Sequence, residues 1–369
     1  MAFFSLAAAF RYASEPSDDM TEWVKCDSGK GAIDRAGSSL VDWWVSVEAP
    51  TDYSAWHAAF AVVENWRACH ALPLNVIQRA LRGRAQRIEP KVIVAQRLKR
   101  FSSIMNKLAR ESSMKLSQMQ DLGGCRAILS NIAAVNSLYD MYRIAPLLPE
   151  EGSLKCYDYV SNPKDDGYRG IHVVARYHPR IRSRAPWDGY RIEIQLRTNL
   201  QHAFATAVET VTTFTRAPLK FGAGPAEWRR FFSLMGSALA TREQTPLVPG
   251  TPSDQVELIR ELRAAAVTLR VRSRLQGWTD ALQTLRSQHL KNSKWLLLLL
   301  DTSKNTVGVT GFQDRKEASR AIAEIEKSKR ADIDAVLVWV SSIRRLRVAY
   351  PNYYADTKKF IDALDSVLA

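Results

Sequence analysis

The chain of 369 residues has only four cysteines, and they form no C-x-x-C pair: Cys26, Cys69, Cys125 and Cys156. This scatter supports neither a zinc site nor a disulfide framework, and it predicts a protein of the reducing cytoplasm. Long apolar runs are missing as well. The apolar residues 1–10 lack a basic flank and a clear cleavage site, so we expect no signal peptide. The longest later run, residues 295–300, is too short to cross a bilayer, and we expect no membrane partner.

Acidic residues are also in deficit. The chain has 38 Asp and Glu against 52 Lys and Arg, which gives a formal net charge of +14. Such an excess favours polyanionic partners such as nucleotides, RNA or DNA, although basic soluble proteins without these partners also exist. Charge alone therefore indicates a class of partner and leaves the chemistry open.

The length predicts two or three folded units, and no internal repeat is visible. Residues 32–87 have apolar positions such as Trp56, Phe60 and Val63 at spacings of three and four, which is typical of helices. Alternating helix and strand patterns then predict a mixed α/β sheet, and residues 244–254, rich in proline, indicate a linker. We predict a helical subdomain, a core, a linker with connecting helices, and a small C-terminal α/β domain over residues 1–88, 89–243, 244–290 and 291–369.

Within the core, the pattern predicts strands at residues 125–129, 155–159, 168–177 and 190–196, and a helix from about Leu200. The C-terminal domain should contain strands at 295–301, 306–310 and 334–340 and a helix at 315–328. An amphipathic helix with its apolar face formed by Phe360, Ile361, Leu364 and Leu368 should follow.

Polar residues recur every four positions in an expected helix over residues 97–108. Lys99, Ser103 and Lys107 would lie within an arc of about 80°, opposite the apolar residues Phe101, Ile104, Met105 and Leu108. Two ammonium groups and a hydroxyl can hold a polyphosphate. A solvated basic face has the same pattern. The stripe therefore indicates phosphate binding only in combination with the other candidate site residues.

Two carboxylates stand near the expected strands. Asp121 precedes two glycines at the start of a strand, where it can bind Mg²⁺ together with substrate phosphates, although aspartate is also common in ligand-free turns. Glu193 lies within a strand otherwise rich in branched residues, where an acid is disfavoured unless it faces solvent or a ligand. Glu193 can complete a metal site with Asp121, or accept a proton from an attacking hydroxyl.

The strand expected at residues 168–177 shows one aromatic and one imidazole on a single side, because Tyr168, Gly170 and His172 alternate with apolar residues. The Tyr168 ring can stack on a base, and Gly170 leaves space beside it. Tyrosine is also simply a frequent strand residue, so this feature by itself is open.

In this order, the segments between Arg97 and Glu209 resemble the synthetase domain of the RelA/SpoT family, which transfers pyrophosphate from ATP to the 3′-hydroxyl of a nucleotide. Four motifs carry the resemblance: R-x-K-x-x-x-S-x-x-x-K, D-x-x-x-x-R, D-Y-x-x-x-P-K-x-x-G-Y-x-x-x-H and E-x-Q-x-R-T. They begin at Arg97, Asp121, Asp158 and Glu193.

The resemblance implies a nucleotidyltransferase-like core and a Mg²⁺-dependent pyrophosphokinase with ATP as donor. Residues that sandwich the adenine or hold the phosphates would be Arg97, Arg126, Lys99, Ser103 and Lys107. Asp121 and Glu193 would bind Mg²⁺, and Glu193 would also act as the base. Residues on the acceptor side would be Lys164, Tyr168, His172 and Gln195.

Two departures change the expected acceptor. Family members that make guanosine tetraphosphate usually carry Lys or Arg before the Asp-Tyr pair, where this chain has Tyr157, and Thr206 replaces an acidic residue. An acceptor pocket that loses a cation and gains an aromatic ring should favour a free guanine nucleotide less. Tyr157 and Tyr168 could instead stack the terminal bases of an RNA.

The chain also resembles toxic small synthetases of the fused toxin-antitoxin type called CapRel. This resemblance implies pyrophosphate transfer to the 3′-terminal adenosine of tRNA, and restraint by a C-terminal Y-x-x-Y motif until a phage protein releases it. Tyr350 and Tyr353 match that spacing, which is also common in packed turns. The basic loop residues Arg176, Arg180, Arg182 and Arg184 are candidate RNA contacts, and no sequence-specific DNA binding is expected.

Three hypotheses remain. The first is a self-restrained, tRNA-modifying pyrophosphokinase of phage defence. The second is a small alarmone synthetase that makes (p)ppGpp or ppApp. The third is an inactive regulator that binds nucleotides or RNA.

Overall fold

The computed structural model describes residues 23–46, 52–144, 154–215, 224–272, 275, 293, 295–301, 306–327, 333–339 and 358–369. Two features predicted from the sequence lie outside these residues, namely the apolar start at 1–10 and the motif of Tyr350 and Tyr353. Within the described part of the chain, no helix is both long enough and apolar enough to cross a membrane.

Three helices form the N-terminal part, as the apolar spacing predicts: Lys30–Val45 (α1), Tyr53–Cys69 (α2) and Ala71–Ile88 (α3). The Asp52 side chain accepts a hydrogen bond from the backbone N–H of Ala55 at 2.9 Å, which caps the start of α2. Trp56 and Phe60 are buried and their rings stack, so the apolar face of α2 fills the space beneath α1.

His70 joins α2 to α3 and makes the stability of the protein sensitive to acid. The imidazole is buried, its Nδ1 lies 2.8 Å from the Trp66 carbonyl oxygen, and burial lowers its pKa from 6.5 to about 4. As the pH falls below 6.5, the unfolded chain binds this proton first, so the unfolded state is favoured.

Acidification from neutral pH to about pH 5 should therefore lower the free energy of unfolding by about 2 kcal/mol through His70 alone. Urea titrations at several pH values measure this slope. In His70→Asn the slope should become flatter by that amount, whereas His57→Asn, a change of an exposed histidine, should leave it unchanged. Equal slopes for the wild type and His70→Asn would contradict the prediction.

Five strands form one sheet that mixes parallel and antiparallel pairs: Ile93–Leu98 (β1), Gly123–Leu129 (β2), Lys155–Asp158 (β3), Ile171–Arg176 (β4) and Arg191–Thr198 (β5). Their order is β1-β2-β5-β4-β3, in which β2 and β5 are parallel and the other neighbours antiparallel. The connecting helices are Phe101–Arg110 (α4), Ile132–Ile144 (α5) and Asn199–Thr215 (α6). This architecture confirms the predicted mixed α/β class.

The expected helix over residues 97–108 is wrong at its start. β1 ends at Leu98 and α4 begins at Phe101, so Arg97 is a strand residue and Lys99 lies in the connection. The reason is backbone pairing: Arg97 is opposite Gly124, and the Lys99 N–H donates to the Leu122 carbonyl oxygen at 2.7 Å. These bonds continue the backbone pairing of β1 with β2 as far as Lys99. A helix therefore cannot begin before that residue.

A small three-stranded sheet follows in the C-terminal part, with the elements that the sequence predicts: Trp295–Asp301 (β6), Thr306–Phe312 (β7), Arg315–Lys327 (α9) and Ile333–Trp339 (β8). Its order is β7-β6-β8, and both pairs are antiparallel. Ile322 of α9 packs with Leu297 and Ala335, which gives this unit its own apolar cluster.

A second large core lies beneath four helices: α6, Ala226–Arg242 (α7), Gln255–Thr268 (α8) and Lys358–Leu368 (α10). Phe360 of α10 is fully buried and its ring lies 6.3 Å from Phe204 of α6 and 6.1 Å from Phe232 of α7. The amphipathic helix predicted from the sequence therefore packs against the helix that follows β5.

The stretch predicted as a linker, residues 244–254, is a loop that packs against the core. Arg169 donates hydrogen bonds to the Pro246 carbonyl oxygen at 2.9 Å and to Thr245 Oγ1 at 2.6 Å, and Val248 is buried. The domain boundaries inferred from this stretch stay a prediction.

Candidate active site

The register of the five strands places the predicted polar residues on one face of the sheet. One row across the strands reads Ala95, Arg126, Gln195, His172 and Tyr157. The neighbouring row reads Arg97, Gly124, Glu193, Val174 and Lys155. Because residues two apart on a strand share a face, both rows point to the same side. The opposite face carries apolar residues such as Ile192, Ile194 and Leu196, which fill the main core.

An open cleft lies at the β1, β2 and β5 end of this face. The residues around it include six that the sequence analysis assigns to the site: Arg97, Lys99, Asp121, Arg126, Glu193 and Gln195. Five of these six carry charge that suits a phosphate or a metal ion, and Gln195 is neutral. Ser103 is half-buried on α4 and is not among the described residues that line the cleft.

Two lysines converge on one carboxylate at the mouth of the cleft. The Nζ atoms of Lys99 and Lys107 lie 2.7 and 3.1 Å from the two carboxylate oxygens of Asp121. Lys99 reaches this position from the connection before α4, and Lys107 reaches it from the helix itself. The two lysines predicted on one helix thus come from two elements of the structure. Both ammonium groups contact the same Asp121 carboxylate.

Arg126 is buried within a group of positive charges. Burial, followed by the nearby charges of Arg197 and Arg97, lowers its pKa to about 9, while Glu209 partly compensates. A buried guanidinium of this kind gains most from a negatively charged or aromatic partner. Arg97 and Arg126 both line the cleft, where they were predicted to hold the adenine.

Glu193 is held in place through both of its carboxylate oxygens. Oε1 lies 2.9 Å from His172 Nδ1, and Oε2 accepts a hydrogen bond from Gln195 at 2.7 Å. Burial would raise the pKa of Glu193. The hydrogen bond and charge of His172, the hydrogen bond from Gln195 and the charge of Lys99 outweigh burial and lower the pKa to about 2. Glu193 is therefore an oriented anion at neutral pH.

Tyr168 differs from the prediction because it precedes β4, which begins at Ile171. Gly167 and Gly170 adopt φ values of 83° and 145°, which a strand does not allow, so the backbone bends there. A Cβ on Gly167 would also lie 2.4 Å from the Phe232 carbonyl oxygen. The Tyr168 hydroxyl still lies 2.5 Å from His172 Nε2, so its place beside the histidine is preserved.

Beyond His172, aromatic rings and cations alternate along the surface of the sheet. The rings of Tyr157 and Tyr159 are nearly parallel, at an interplanar angle of 10° and a centroid distance of 6.1 Å. Lys155 Nζ lies 5.0 Å from the Tyr157 ring centroid, and Lys164 Nζ lies 4.2 Å from that of Tyr159. We call Lys155, Tyr157, Tyr159 and Lys164 the tyrosine platform. Cations and ring faces together are the usual surface for single-stranded nucleic acid.

Arg197 is a site residue that the sequence analysis did not assign. It donates to the Tyr168 hydroxyl at 2.7 Å and to Gln195 Oε1 at 3.0 Å, and its guanidinium lies 5.1 Å from the Tyr168 ring centroid. Its position two residues after Gln195 was the available signal, because alternation on β5 places both on the same face as Glu193.

A buried polar network supports the end of β5. Thr198 Oγ1 donates to Glu243, and Gln201 Nε2 donates to the other carboxylate oxygen of Glu243 at 2.8 Å. His202, one residue later, is buried, and burial together with the charges of Arg126 and Arg197 lowers its pKa to about 2. These residues fix the start of α6. They are not among the described residues that line the cleft.

The carboxylates suit Mg²⁺ by their chemistry. Asp121 and Glu193 line the same cleft, and carboxylate oxygens are the preferred protein ligands of this ion. Among the described residues, no group of three or more His, Cys, Asp and Glu side chains could hold a metal. Mg²⁺ commonly uses one or two carboxylates and takes its other ligands from phosphates and water, so two are sufficient.

The geometry can be compared with known families. Residues 96–215 match a family model described as a region found in RelA/SpoT proteins. This segment is similar to the RelA/SpoT region. The RelA/SpoT-like region runs from within β1 to the end of α6 and contains the polar residues of both rows, but not α7, α8 or the C-terminal sheet.

One curated relative is GTP pyrophosphokinase YwaC of Bacillus subtilis (strain 168), which is 32% identical over 111 residues. The match covers 28% of this chain and 49% of that protein, so the chain spans about half the length of this relative. Among solved structures, small alarmone synthetase 1 of Bacillus subtilis with its product pppGpp is 20% identical, with a TM-score of 0.39, and the match covers 47% of this chain and 88% of that chain. A GTP pyrophosphokinase family protein from Streptococcus pneumoniae is 22% identical, with a TM-score of 0.38 and coverages of 48% and 87%.

Proposed function

We propose that the protein is a pyrophosphokinase that uses ATP as donor and the 3′-terminal adenosine of tRNA as acceptor. The observation that carries the proposal is the position of Glu193 on the sheet. It lies between a cleft lined by Arg97, Lys99 and Arg126 and a surface formed by aromatic rings. A donor and an acceptor placed on these two sides would meet at the Glu193 carboxylate.

In this reaction, the 3′-hydroxyl oxygen of the acceptor attacks the β-phosphorus of ATP. The bond from the β-phosphorus to the bridging oxygen of the α-phosphate breaks, AMP leaves, and the hydroxyl proton passes to Glu193. Such transfers depend on positioning and charge more than on a strong base. The low pKa of Glu193 ensures that it is ionised, and its bonds to His172 and Gln195 fix its direction.

Lys99 and Lys107 would bind the donor phosphates. In the structure both ammonium groups pair with Asp121, so they are held close together before ATP arrives. Asp121 and Glu193 would hold Mg²⁺, which would neutralise charge on the transferred group. When ATP binds, Lys99 and Lys107 would move their contacts from Asp121 to the donor phosphates, which would leave the Asp121 carboxylate available as a ligand.

The tyrosine platform supports an RNA acceptor over a free nucleotide. A mononucleotide needs a single ring for its base, and Tyr168 would supply it. Tyr157 and Tyr159 continue the aromatic surface beyond His172, where further bases of a single-stranded end would lie. The net charge of +14 also suits a long polyanion.

Tyr157→Ala should reduce labelling of tRNA by labelled ATP by about tenfold, mainly through a higher KM for tRNA, since one stacked base contributes about 1 to 3 kcal/mol. The KM for ATP should not change. Tyr53→Ala, which removes an exposed tyrosine on α2, is the matched control and should behave as wild type. Equal tRNA labelling by Tyr157→Ala and Tyr53→Ala would argue against the platform.

The second candidate is a small alarmone synthetase that makes (p)ppGpp or ppApp, and the similarity to GTP pyrophosphokinase YwaC favours it. Wild-type protein incubated with labelled ATP and either tRNA or GDP, GTP and AMP separates the two. Label on tRNA alone rejects the second candidate, and label on free nucleotides alone rejects the first. A third candidate, an inactive binding regulator, predicts no label in either case.

We further propose that residues 291–369 form an antitoxin-like domain that restrains the enzyme through Tyr350 and Tyr353 until a phage protein binds. A phage trigger would have to bind the open state preferentially to shift this equilibrium. The motif lies outside the described residues, so its support is its spacing alone.

Tyr353→Asp should make expression of the full-length protein toxic to the bacterial host, because a charged group at an apolar docking point opposes closure. Colony counts after induction, with Tyr53→Asp as control, measure this effect. Equal growth of both variants and the wild type would contradict restraint by this motif.

A further inference from the structure

Two cysteines from distant parts of the sequence meet behind the catalytic sheet. Residues 23–28 run along the end of α2, where the Asn65 side chain holds them from both sides. Its Nδ2 donates to the Lys25 carbonyl oxygen at 3.2 Å, and its Oδ1 accepts from the Asp27 N–H at 3.3 Å. Cys26 stands between these two anchors, half-buried.

Cys69 faces the same point from the last residue of α2. Its Sγ lies 3.7 Å from Asn65 Oδ1, one helical turn earlier, and its side chain is fully buried. Cys26 packs against the cluster that contains Cys69, its Sγ donates to the Ser28 carbonyl oxygen at 3.2 Å, and the two thiols lie close enough to shift each other's pKa. Tyr190 packs in the same cluster, and its hydroxyl lies close enough to both thiols to influence the pKa of each. Two sulfur atoms thus share one small polar enclosure.

The enclosure gives the two thiols opposite character. The hydrogen bond from Cys69 lowers the pKa of Cys26 to about 6, and Tyr190 contributes in the same direction. The pKa of Cys69 is raised, first by its hydrogen bond to Cys26 and then by burial. At neutral pH the pair therefore contains a partly exposed thiolate beside a buried thiol, which is the usual arrangement of a reactive and a resolving cysteine.

We propose that Cys26 and Cys69 form a peroxide-sensitive dithiol that oxidises to an intramolecular disulfide. The Cys26 thiolate attacks one oxygen of a hydroperoxide, the O–O bond breaks, and the leaving alkoxide or hydroxide takes up a proton. Cys26 becomes a sulfenic acid. The Cys69 sulfur then displaces its hydroxyl, which leaves as water with the Cys69 proton. Two thiols are oxidised and one peroxide is reduced.

Oxidation of Cys26 also prepares Cys69 for the second step. The largest cause of the raised pKa of Cys69 is its bond to the Cys26 thiolate, and that negative charge disappears in the sulfenic acid. Tyr190 stays in place and lowers the pKa of Cys69. Because Tyr190 directly precedes β5, the modified site lies next to the strand that carries Glu193.

The test treats reduced full-length protein with one equivalent of hydrogen peroxide, followed by alkylation and peptide mapping. We expect a peptide pair joined through Cys26 and Cys69, with the intact mass lowered by two hydrogen atoms. Cys26 should lose its reactivity at least about ten times faster than Cys156, which is comparably exposed and serves as the internal control.

Two variants separate the chemical roles. In Cys69→Ser, Cys26 should accumulate as a sulfenic acid that dimedone captures, whereas in Cys26→Ser neither product should form. The wild-type mapping needs no variant, so a folding defect in either variant would not hide the result. Oxidation of Cys26 no faster than Cys156, or a disulfide between any other pair of cysteines, would overturn the proposal.

Discussion

Glu193→Gln should reduce pyrophosphate transfer by at least about a thousandfold, because loss of a positioned proton acceptor costs about 10² to 10⁴ in rate and this residue is also a proposed metal ligand. Gln has nearly the same shape and stays neutral, so the sheet should keep its register. The loss should appear in kcat measured with labelled ATP at saturating tRNA.

A second carboxylate serves as the control for Glu193→Gln. Glu257→Gln changes an exposed carboxylate at the start of α8 and should transfer pyrophosphate at the wild-type rate. The far-ultraviolet spectrum of both variants should match the wild type. Transfer by Glu193→Gln within tenfold of the wild type would exclude Glu193 as the proton acceptor, whereas its loss of transfer would dismiss the inactive-regulator hypothesis.

Phe360→Ala should lower the free energy of unfolding by about 3 to 5 kcal/mol, the usual cost of removing a buried aromatic ring. The ring is fully buried between α6 and α7 and lies within 6.3 Å of Phe204, Phe231 and Phe232. Chemical denaturation measures the loss. Val256→Ala removes a side chain that is 77% exposed on α8 and should cost little. A loss below 1 kcal/mol in Phe360→Ala would mean that α10 is not part of this core.

This core changes how the restraint hypothesis must be tested. A deletion after about Gly250 would remove α8 and α10 together and expose the apolar faces of α6 and α7. The truncated protein would then be harmless because it is unstable, whether or not restraint exists. A point variant such as Tyr353→Asp keeps the core and separates the two effects.

The part of the site that could be predicted is formed by residues that lie close together in the sequence. Glu193 and Gln195 alternate strictly with the apolar residues Ile192, Ile194 and Leu196, so their faces follow from the period of a strand. Asp121 and Glu193 come from separate motifs, and no local pattern shows that the two carboxylates meet, so their shared metal site was a hypothesis. The parallel pairing of β2 with β5 then brought them to one cleft.

Two local errors have a common physical cause. Lys99 was assigned to a helix because its spacing to Ser103 and Lys107 fits one, but backbone pairing of β1 with β2 continues to Lys99. Tyr168 was assigned to a strand because it alternates with His172, but Gly167 and Gly170 bend the backbone first. In both cases spacing described the side chains correctly, while the backbone was decided by features that spacing does not show, namely strand pairing at Lys99 and the glycine bends beside Tyr168.

The partner of an amphipathic helix could not be predicted at all. The apolar residues of α10 indicate that one face is buried, yet they contain no information about which surface covers it. Proximity in the sequence favoured the small C-terminal sheet. The structure places α10 against α6, and Phe360 matches a space left by three other aromatic rings.

The order in which the ribosome makes these elements has a consequence for the cell. α6 leaves the ribosome well before α10, and between them come residues 340–357 with the proposed restraining motif. The core that supports the start of α6 is therefore completed by a helix translated after that motif. A nascent chain, or a fragment released by premature termination, that lacks the motif also lacks α10. Any chain that contains α10 already contains the motif. Under the proposed tRNA modification and restraint, translation would therefore be protected from the enzyme while the enzyme itself is being made.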